Sequence, residues 1–170
     1  MSLKGYLNLG LPDNIQNIFQ NIKSKKRPKY EFNGIPSPFR LSGFISGEGS
    51  FHIVFRSTAA NAPVFLRFSV HLHIRDLEVL KGINTYFKDN ANKKITLTKN
   101  SANLQITKYS DICNIIIPFF NKYPILGMKS LDFEDFKKVS NIIETKEYLT
   151  KPLIYNEIVK IKSGMNLMRS

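Results

Sequence analysis

The feature that most restricts the fold of this chain is a nonapeptide in which two glycines lie four residues apart. Residues 41–49 read Leu-Ser-Gly-Phe-Ile-Ser-Gly-Glu-Gly, and a segment with strand-like alternation follows directly. Residues four apart in a helix share one face, so Gly43 and Gly47 would let another helix approach to near backbone contact. A helix this short cannot cross a bilayer, so we expect the close partner to be protein. Glu48 would then lie at the rim of a contact between two helices.

The charge of the chain predicts a polyanionic partner. Its 170 residues include 25 Lys and Arg against 13 Asp and Glu, which gives a formal net charge of +12 and a pI near 9.8. Such an excess favours nucleic acid or an acidic membrane surface. The sequence lacks a basic amphipathic helix with bulky apolar anchors and any apolar run long enough to span a bilayer. We therefore expect a nucleic-acid partner and no membrane.

Residue usage also indicates where the protein works. Cys113 is the single cysteine, so no intrachain disulfide can form, and a reducing, intracellular setting is expected. The abundance of Lys, Asn, Ile and Phe is typical of AT-rich organelle genes. We therefore expect an organellar location, namely the mitochondrion.

Hydrophobic periodicity predicts four strands in two hairpins, with helices between and after them. Alternating residues place the strands at 50–56, 64–73, 94–98 and 103–108. Helical spacing places helices at 11–19, from residue 38 or 39 through the nonapeptide, and at 75–87, 110–121, 130–146 and 151–162. This order predicts an α+β fold (αββαββα) in which helices cover one face of a four-stranded antiparallel sheet.

Two regions are expected along the chain. Residues 1–38 would form an N-terminal helix and a basic, linker-like leader, and residues 39–170 a single folded domain. Pro36 and Pro38 disfavour helical backbone in the residues before them, so the motif helix should begin there.

Two segments resemble the signature of the LAGLIDADG homing endonucleases. The first is LSGFISGEGSF at residues 41–51, and the second is a Gly-x-Lys-x-x-Asp-Phe segment at residues 127–133. The resemblance covers residues 36–165, one complete repeat, and is closest to the C-terminal half of two-repeat members. It implies the LAGLIDADG fold, with a DNA-binding saddle on the open face of the sheet.

The resemblance further implies a sequence-specific, intron-encoded double-stranded DNA endonuclease that hydrolyses phosphodiester bonds with a divalent metal. Glu48 and Lys129 would be catalytic, and Glu48 and Gly47 would bind Mg²⁺, for which Mn²⁺ or Ca²⁺ can substitute in binding. One chain offers one motif, so the active site would be shared in a homodimer or with a second repeat. The expected interface helix carries Leu41, Gly43, Phe44 and Gly47.

The polar face of the predicted sheet is the candidate DNA reader, because a two-stranded ribbon fits the major groove. Its side chains include donors and acceptors that can pair with base edges. The candidate DNA-binding residues are Ser50, His52, Arg56, Arg67, Ser69, His71, His73, Lys94, Thr96, Thr98, Asn103, Gln105 and Thr107.

Two residues depart from the family pattern. Ser46 stands where the idealised signature has Asp, at a position that is not the usual metal ligand. Leu72 stands where resembling enzymes often carry a polar residue, commonly Gln, that orders water in the active site. The alternative function is therefore a non-catalytic binder, either an intron RNA-splicing maturase or a DNA-binding half that has lost cleavage.

Overall fold

The computed structural model describes residues 13–18, 32–57, 62–87 and 94–166. Contacts divide the chain into two compact units, Met1–Phe32 and Asn33–Ser170. In the first unit the described element is helix α1 (Asp13–Ile18), which lies within the predicted span of 11–19. Most of the basic leader, residues 19–31, lies outside the described residues, and the predicted domain boundary after residue 38 stays a prediction.

The second unit is built on a four-stranded antiparallel sheet with the strand order β1-β2-β4-β3. Among the described residues its strands and α-helices are α2 (Pro38–Glu48), β1 (Gly49–Phe55), β2 (Val64–His73), α3 (Leu77–Tyr86), β3 (Lys94–Leu97), β4 (Ser101–Ile106), α4 (Tyr109–Asp111), α5 (Ile117–Lys122), α6 (Lys129–Thr145) and α7 (Pro152–Ser163). The predicted α+β class is confirmed. No helix within the described ranges is both long and apolar enough to cross a membrane.

Local chemistry fixes both ends of α2. The Ser37 side chain accepts a hydrogen bond from the Arg40 N–H at 3.2 Å, and Pro38 occupies the first turn, where a missing N–H removes no helical bond. The chain passes from α2 into β1 at Gly49 with no linker. A Cβ at this position would lie 2.8 Å from the Ile45 carbonyl oxygen, so the close approach requires glycine.

Side-chain alternation separates a buried face of the sheet from an open one. The buried strand residues are Phe51, Ile53, Val64, Leu66, Phe68, Val70, Ala102, Leu104 and Ile106. The Phe51 ring lies 5.3–5.7 Å from the rings of Phe68, Phe120, Phe133 and Phe136. These contacts join β1 and β2 to α5 and α6, so these helices cover one face and leave the polar face open.

The second hairpin is tighter than the sequence indicated. Strands were expected at 94–98 and 103–108, but they are Lys94–Leu97 and Ser101–Ile106. The Thr98 N–H donates to the Ser101 carbonyl at 2.8 Å, and the Ser101 N–H donates to the Thr98 hydroxyl at 3.0 Å. Because these bonds close a short turn, the predicted boundaries were wrong. Thr98 belongs to the turn, and Thr107 follows β4.

Candidate active site

The C-terminal end of α2 carries Glu48, the leading candidate. The face of α2 that packs into the core contains Leu41, Ser42 and Ile45. On another face Gly43 and Gly47 are exposed, and no atom lies within 4 Å of the position that a Cβ would occupy at either residue. This face of the single chain is therefore open to another helix.

One predicted interface residue needs correction. Leu41 is only 2% exposed, because it packs with Ile45 in the core of its own unit. Its side chain therefore points away from the open glycine face and cannot contribute to a contact there. Phe44 is half-buried and lines a cavity beside Glu48, so it remains a candidate.

Lys129, from the second motif, reaches the end of α2. Its ammonium donates to the Gly47 carbonyl at 2.8 Å and to the Ile45 carbonyl at 3.4 Å. A cation is favourable there because the last carbonyls of a helix carry partial negative charge. Burial lowers the pKa of Lys129, and attraction to Glu48 and Asp132 opposes that shift. The fold thus brings Lys129 to the end of α2, where it contacts Gly47, 82 residues earlier in the sequence, and lies near Glu48.

The oxygen donors of Glu48 and Gly47 fit the preference of Mg²⁺ for carboxylate and carbonyl ligands. A carbonyl oxygen has two lone pairs, so Gly47 can accept the Lys129 ammonium and still face a cation. No three His, Cys, Asp or Glu side chains come together as a metal-binding group in the described part of the chain. These two donors therefore form an incomplete set, which a second helix, water and phosphate would have to complete.

A cavity of about 610 Å³ opens beside Glu48. Its wall includes Leu72, and His71, His73 and Arg75 line it as well. The Nδ1 atom of His73 accepts the Arg75 N–H at 3.2 Å. Leu72 has no hydrogen-bonding group, so the residue predicted to weaken catalysis is an apolar part of the wall next to the candidate carboxylate.

The predicted DNA-binding residues within the strands share the open face, apart from Lys94, of which only the backbone is described. The strand register places side by side the pairs Ser50–Ser69, Ser69–Gln105, Gln105–Lys94, His52–Arg67, His71–Asn103 and Asn103–Thr96. Because alternate residues of a strand share a face, these rows form one polar surface across all four strands. The surface continues at His71 into the cavity beside Glu48.

Some polar atoms of this surface lack partners among the described residues. The Nε of Arg67 and the Oδ1 of Asn103 are buried and make no hydrogen bond there. Burial, followed by repulsion from Arg67, lowers the pKa of His52, and Asp132 opposes that shift. A neutral His52 offers one donor and one acceptor, which suits the mixed pattern of base edges.

Three candidates, Arg56, Thr98 and Thr107, lie away from these rows. Arg56 and Thr107 line a separate cavity of about 420 Å³ at the end of the sheet remote from Glu48. The Thr98 hydroxyl contacts the Ser101 hydroxyl at 2.8 Å within the hairpin turn. Their roles in DNA binding stay predictions.

Sequence reasoning missed the hydroxyl groups of Ser42 and Ser46. Ser42 Oγ lies 2.9 Å from the Tyr123 carbonyl and 2.7 Å from the Pro124 carbonyl, and Ser46 Oγ accepts the Leu126 N–H at 3.0 Å. Two hydroxyls four residues apart on a motif helix were the available signal. Their partners lie some 80 residues away in the sequence, so the pattern could not name them.

The sequence and the fold of this chain are similar to those of known proteins. Residues 41–140 match the family model described as LAGLIDADG endonuclease. The chain belongs to the LAGLIDADG endonuclease family. A probable intron-encoded endonuclease 3 of Neurospora crassa is 33% identical to it over 153 residues, which are 88% of this chain and 28% of the relative.

Solved LAGLIDADG structures confirm the fold. The homing endonuclease I-GzeII, in complex with its DNA target, is 36% identical and superposes with a TM-score of 0.88, covering 99% of this chain and 57% of that one. I-SmaMI, bound to cleaved DNA, is 34% identical with a TM-score of 0.87 and the same coverage, 99% and 57%. The chain thus spans just over a quarter of the Neurospora relative and just over half of each solved chain.

Proposed function

We propose that this chain provides one LAGLIDADG repeat of a sequence-specific, intron-encoded double-stranded DNA endonuclease. The observation that carries the proposal is the position of Glu48 between the open glycine face of α2 and the cavity that continues into the polar sheet face. Support comes from relatives of the same fold that are bound to DNA and from a relative named as an endonuclease. None of these relatives favours the maturase or the cleavage-deficient binder.

The proposed reaction is hydrolysis of a phosphodiester bond in each strand. Glu48 and Gly47 would hold Mg²⁺, which lowers the pKa of an attacking water and stabilises charge on the leaving oxygen. Lys129 adds a positive charge near the phosphate and, through its bond to Gly47, holds the last turn of α2 in place. Leu72 supplies no polar atom for water, so a different repeat with a polar residue at this position would have to orient it. A homodimer would carry Leu72 in both copies and lack that group.

The active site would be completed by a second LAGLIDADG helix, either in a homodimer or in another repeat. One Glu48 per chain gives half of a paired carboxylate site, and the glycine face allows the close approach that pairing needs. Exposed apolar side chains lie near this helix: Phe39 is 70%, Leu126 68% and Met128 59% exposed. Exposed apolar groups of this kind favour a protein contact.

The partner of the open sheet face would be double-stranded DNA, with the paired polar side chains of the strands in the major groove. The basic excess of the chain supports contact with phosphates. The intron-encoded Neurospora relative supports an origin within an intron. A mitochondrial location stays a prediction.

Substitution of Glu48 tests the proposal. A target duplex would first be selected from random-sequence DNA in Ca²⁺, and cleavage would then be started with Mg²⁺. We expect Glu48→Gln to lower the single-turnover rate by at least about a hundredfold while binding persists, because a metal-binding oxygen has become an amide. Glu157→Gln, an exposed change on α7, serves as the matched control. Equal cleavage by Glu48→Gln and the parent chain would remove Glu48 from the mechanism.

A further inference from the structure

Ser46 connects the motif helix to a distant segment of the chain. Its hydroxyl donates to the Ser42 carbonyl at 2.9 Å, one turn earlier in α2, and accepts the Leu126 N–H at 3.0 Å. One turn back, the Ser42 hydroxyl, on a side chain only 3% exposed, contacts the carbonyls of Tyr123 and Pro124. Two serines of the signature thus attach residues 123–126 to α2.

The attached segment leads directly to Lys129. After Leu126 the chain turns at Gly127, whose φ of +69° suits glycine, and the Ser130 N–H and hydroxyl both donate to the Gly127 carbonyl, at 3.0 and 2.8 Å. Lys129 is the first residue of α6 and donates back to Gly47 at 2.8 Å. The bonds Ser46–Leu126 and Lys129–Gly47 therefore join the same two segments at both ends of a tight turn.

We propose that Ser46 is a positioning residue, which sets the Lys129 ammonium against the end of α2 by holding Leu126 in place. This inference rests on the proposed nuclease function and extends it to a residue outside the proposed metal-binding and DNA-binding sets. Removing the hydroxyl would free the Leu126 N–H and let the turn that carries Lys129 move relative to Glu48. Displacements of about 1 Å at a catalytic group can cost about a hundredfold in rate.

Cleavage by three variants of the full chain tests this role. We expect Ser46→Ala to lower the single-turnover rate on the selected duplex by about ten- to a hundredfold. Its affinity for that duplex in Ca²⁺ should stay within about twofold of the parent, because Ser46 lies on α2 rather than on the polar sheet face. Ser46→Asp should restore the rate, because a carboxylate oxygen can again accept the Leu126 N–H.

The matched control is Ser163→Ala. The Ser163 hydroxyl also bonds back to a helix carbonyl, that of Lys160 at 2.7 Å, but it lies at the end of α7. This variant should cleave like the parent. An unchanged rate in Ser46→Ala, or failure of Ser46→Asp to recover it, would overturn the proposal.

A double-mutant cycle shows whether Ser46 acts through Lys129. If it does, Ser46→Ala should add little to the loss caused by Lys129→Ala, since the group it positions is already absent. Additive losses would mean that Ser46 affects cleavage by another route, and the positioning role would be rejected.

Amide hydrogen exchange without DNA or metal tests the connection independently of activity. We expect the Leu126 amide to exchange faster in Ser46→Ala than in the parent or in Ser163→Ala, with unchanged exchange in the core strands. Equal protection at Leu126 would refute the connection even if cleavage were lost. If Leu126 exchanged faster in Ser46→Ala but the parent chain never cleaved DNA, the connection would stand and the proposed nuclease function would be rejected.

Discussion

At the scale of single residues, the end of α2 combines three chemical roles within two turns. Gly43 and Gly47 leave one face bare, Gly47 also presents a carbonyl to Lys129, and Glu48 offers a carboxylate to the cavity. The open glycine face followed from the sequence because it depends on residue type and helical spacing. The roles of Glu48 and Lys129 were implied by the family resemblance and stay predictions. The distances between these residues did not follow from the sequence, because Lys129 comes from a segment that only the folded core brings near.

The apolar wall beside Glu48 leads to a prediction about Leu72. Leu72→Gln places an amide in the cavity, where it can orient a water toward the scissile phosphate. We expect single-turnover cleavage to rise by about tenfold, which corresponds to one added hydrogen bond of about 1.4 kcal/mol. The measurement is cleavage of the selected duplex at saturating protein. Leu97→Gln, an exposed change at the end of β3, is the control and should have no effect. A slower or equal rate for Leu72→Gln would show that this position does not limit catalysis.

At the scale of secondary-structure elements, the sequence predicted best those boundaries that depend on neighbouring residues. The start of α2 and the full extent of β2 were predicted correctly, because two prolines and strict alternation are signals carried by adjacent residues. The β3–β4 turn was placed wrongly, because bonds between Thr98 and Ser101 shorten it. The pairing of β4 with β2 was not predicted, since strand order depends on contacts between residues far apart in sequence.

The open face of α2 gives a prediction at the same scale. A Cβ at Gly43 would have open space around it and the residue is exposed, so Gly43→Leu should leave the single unit folded and add up to about 1 kcal/mol from better helix propensity. The leucine should nevertheless block a second helix, so sedimentation on DNA would shift from two copies to one and cleavage would be lost. Gly49→Ala is the contrasting change: its Cβ would press on the Ile45 carbonyl, and the melting temperature should fall. Undiminished association by Gly43→Leu would contradict the proposed helix contact.

At the scale of the whole molecule, the aromatic core determines which face of the sheet is covered, and the basic composition indicates the kind of partner. Phe51 and its four aromatic neighbours fix the helices to one face, and the face left open is the polar one. Composition alone predicted a polyanionic partner, since a charge of +12 exceeds what solubility requires. It could not rank the individual contacts, which depend on strand register and on the shape of the bound duplex.

Salt dependence is the prediction that belongs to the whole molecule. Binding that neutralises two or more phosphates should weaken by more than about tenfold when salt rises fourfold, because condensed counterions are released from the duplex. Titration of the selected duplex and of a scrambled duplex should give similar slopes, since phosphate contacts carry no sequence information. A flat response to salt would argue that the basic surface does not follow the DNA backbone.

The glycine that joins α2 directly to β1 has a consequence for how such a protein can acquire a new target. In the proposed nuclease, the absence of a spacer residue between Glu48 and Gly49 would fix the distance from the cleaved bond to the first base pair under β1. A new target sequence would then have to be recognised by exchanging side chains on the strands. Inserting residues between α2 and β1 would displace the cut.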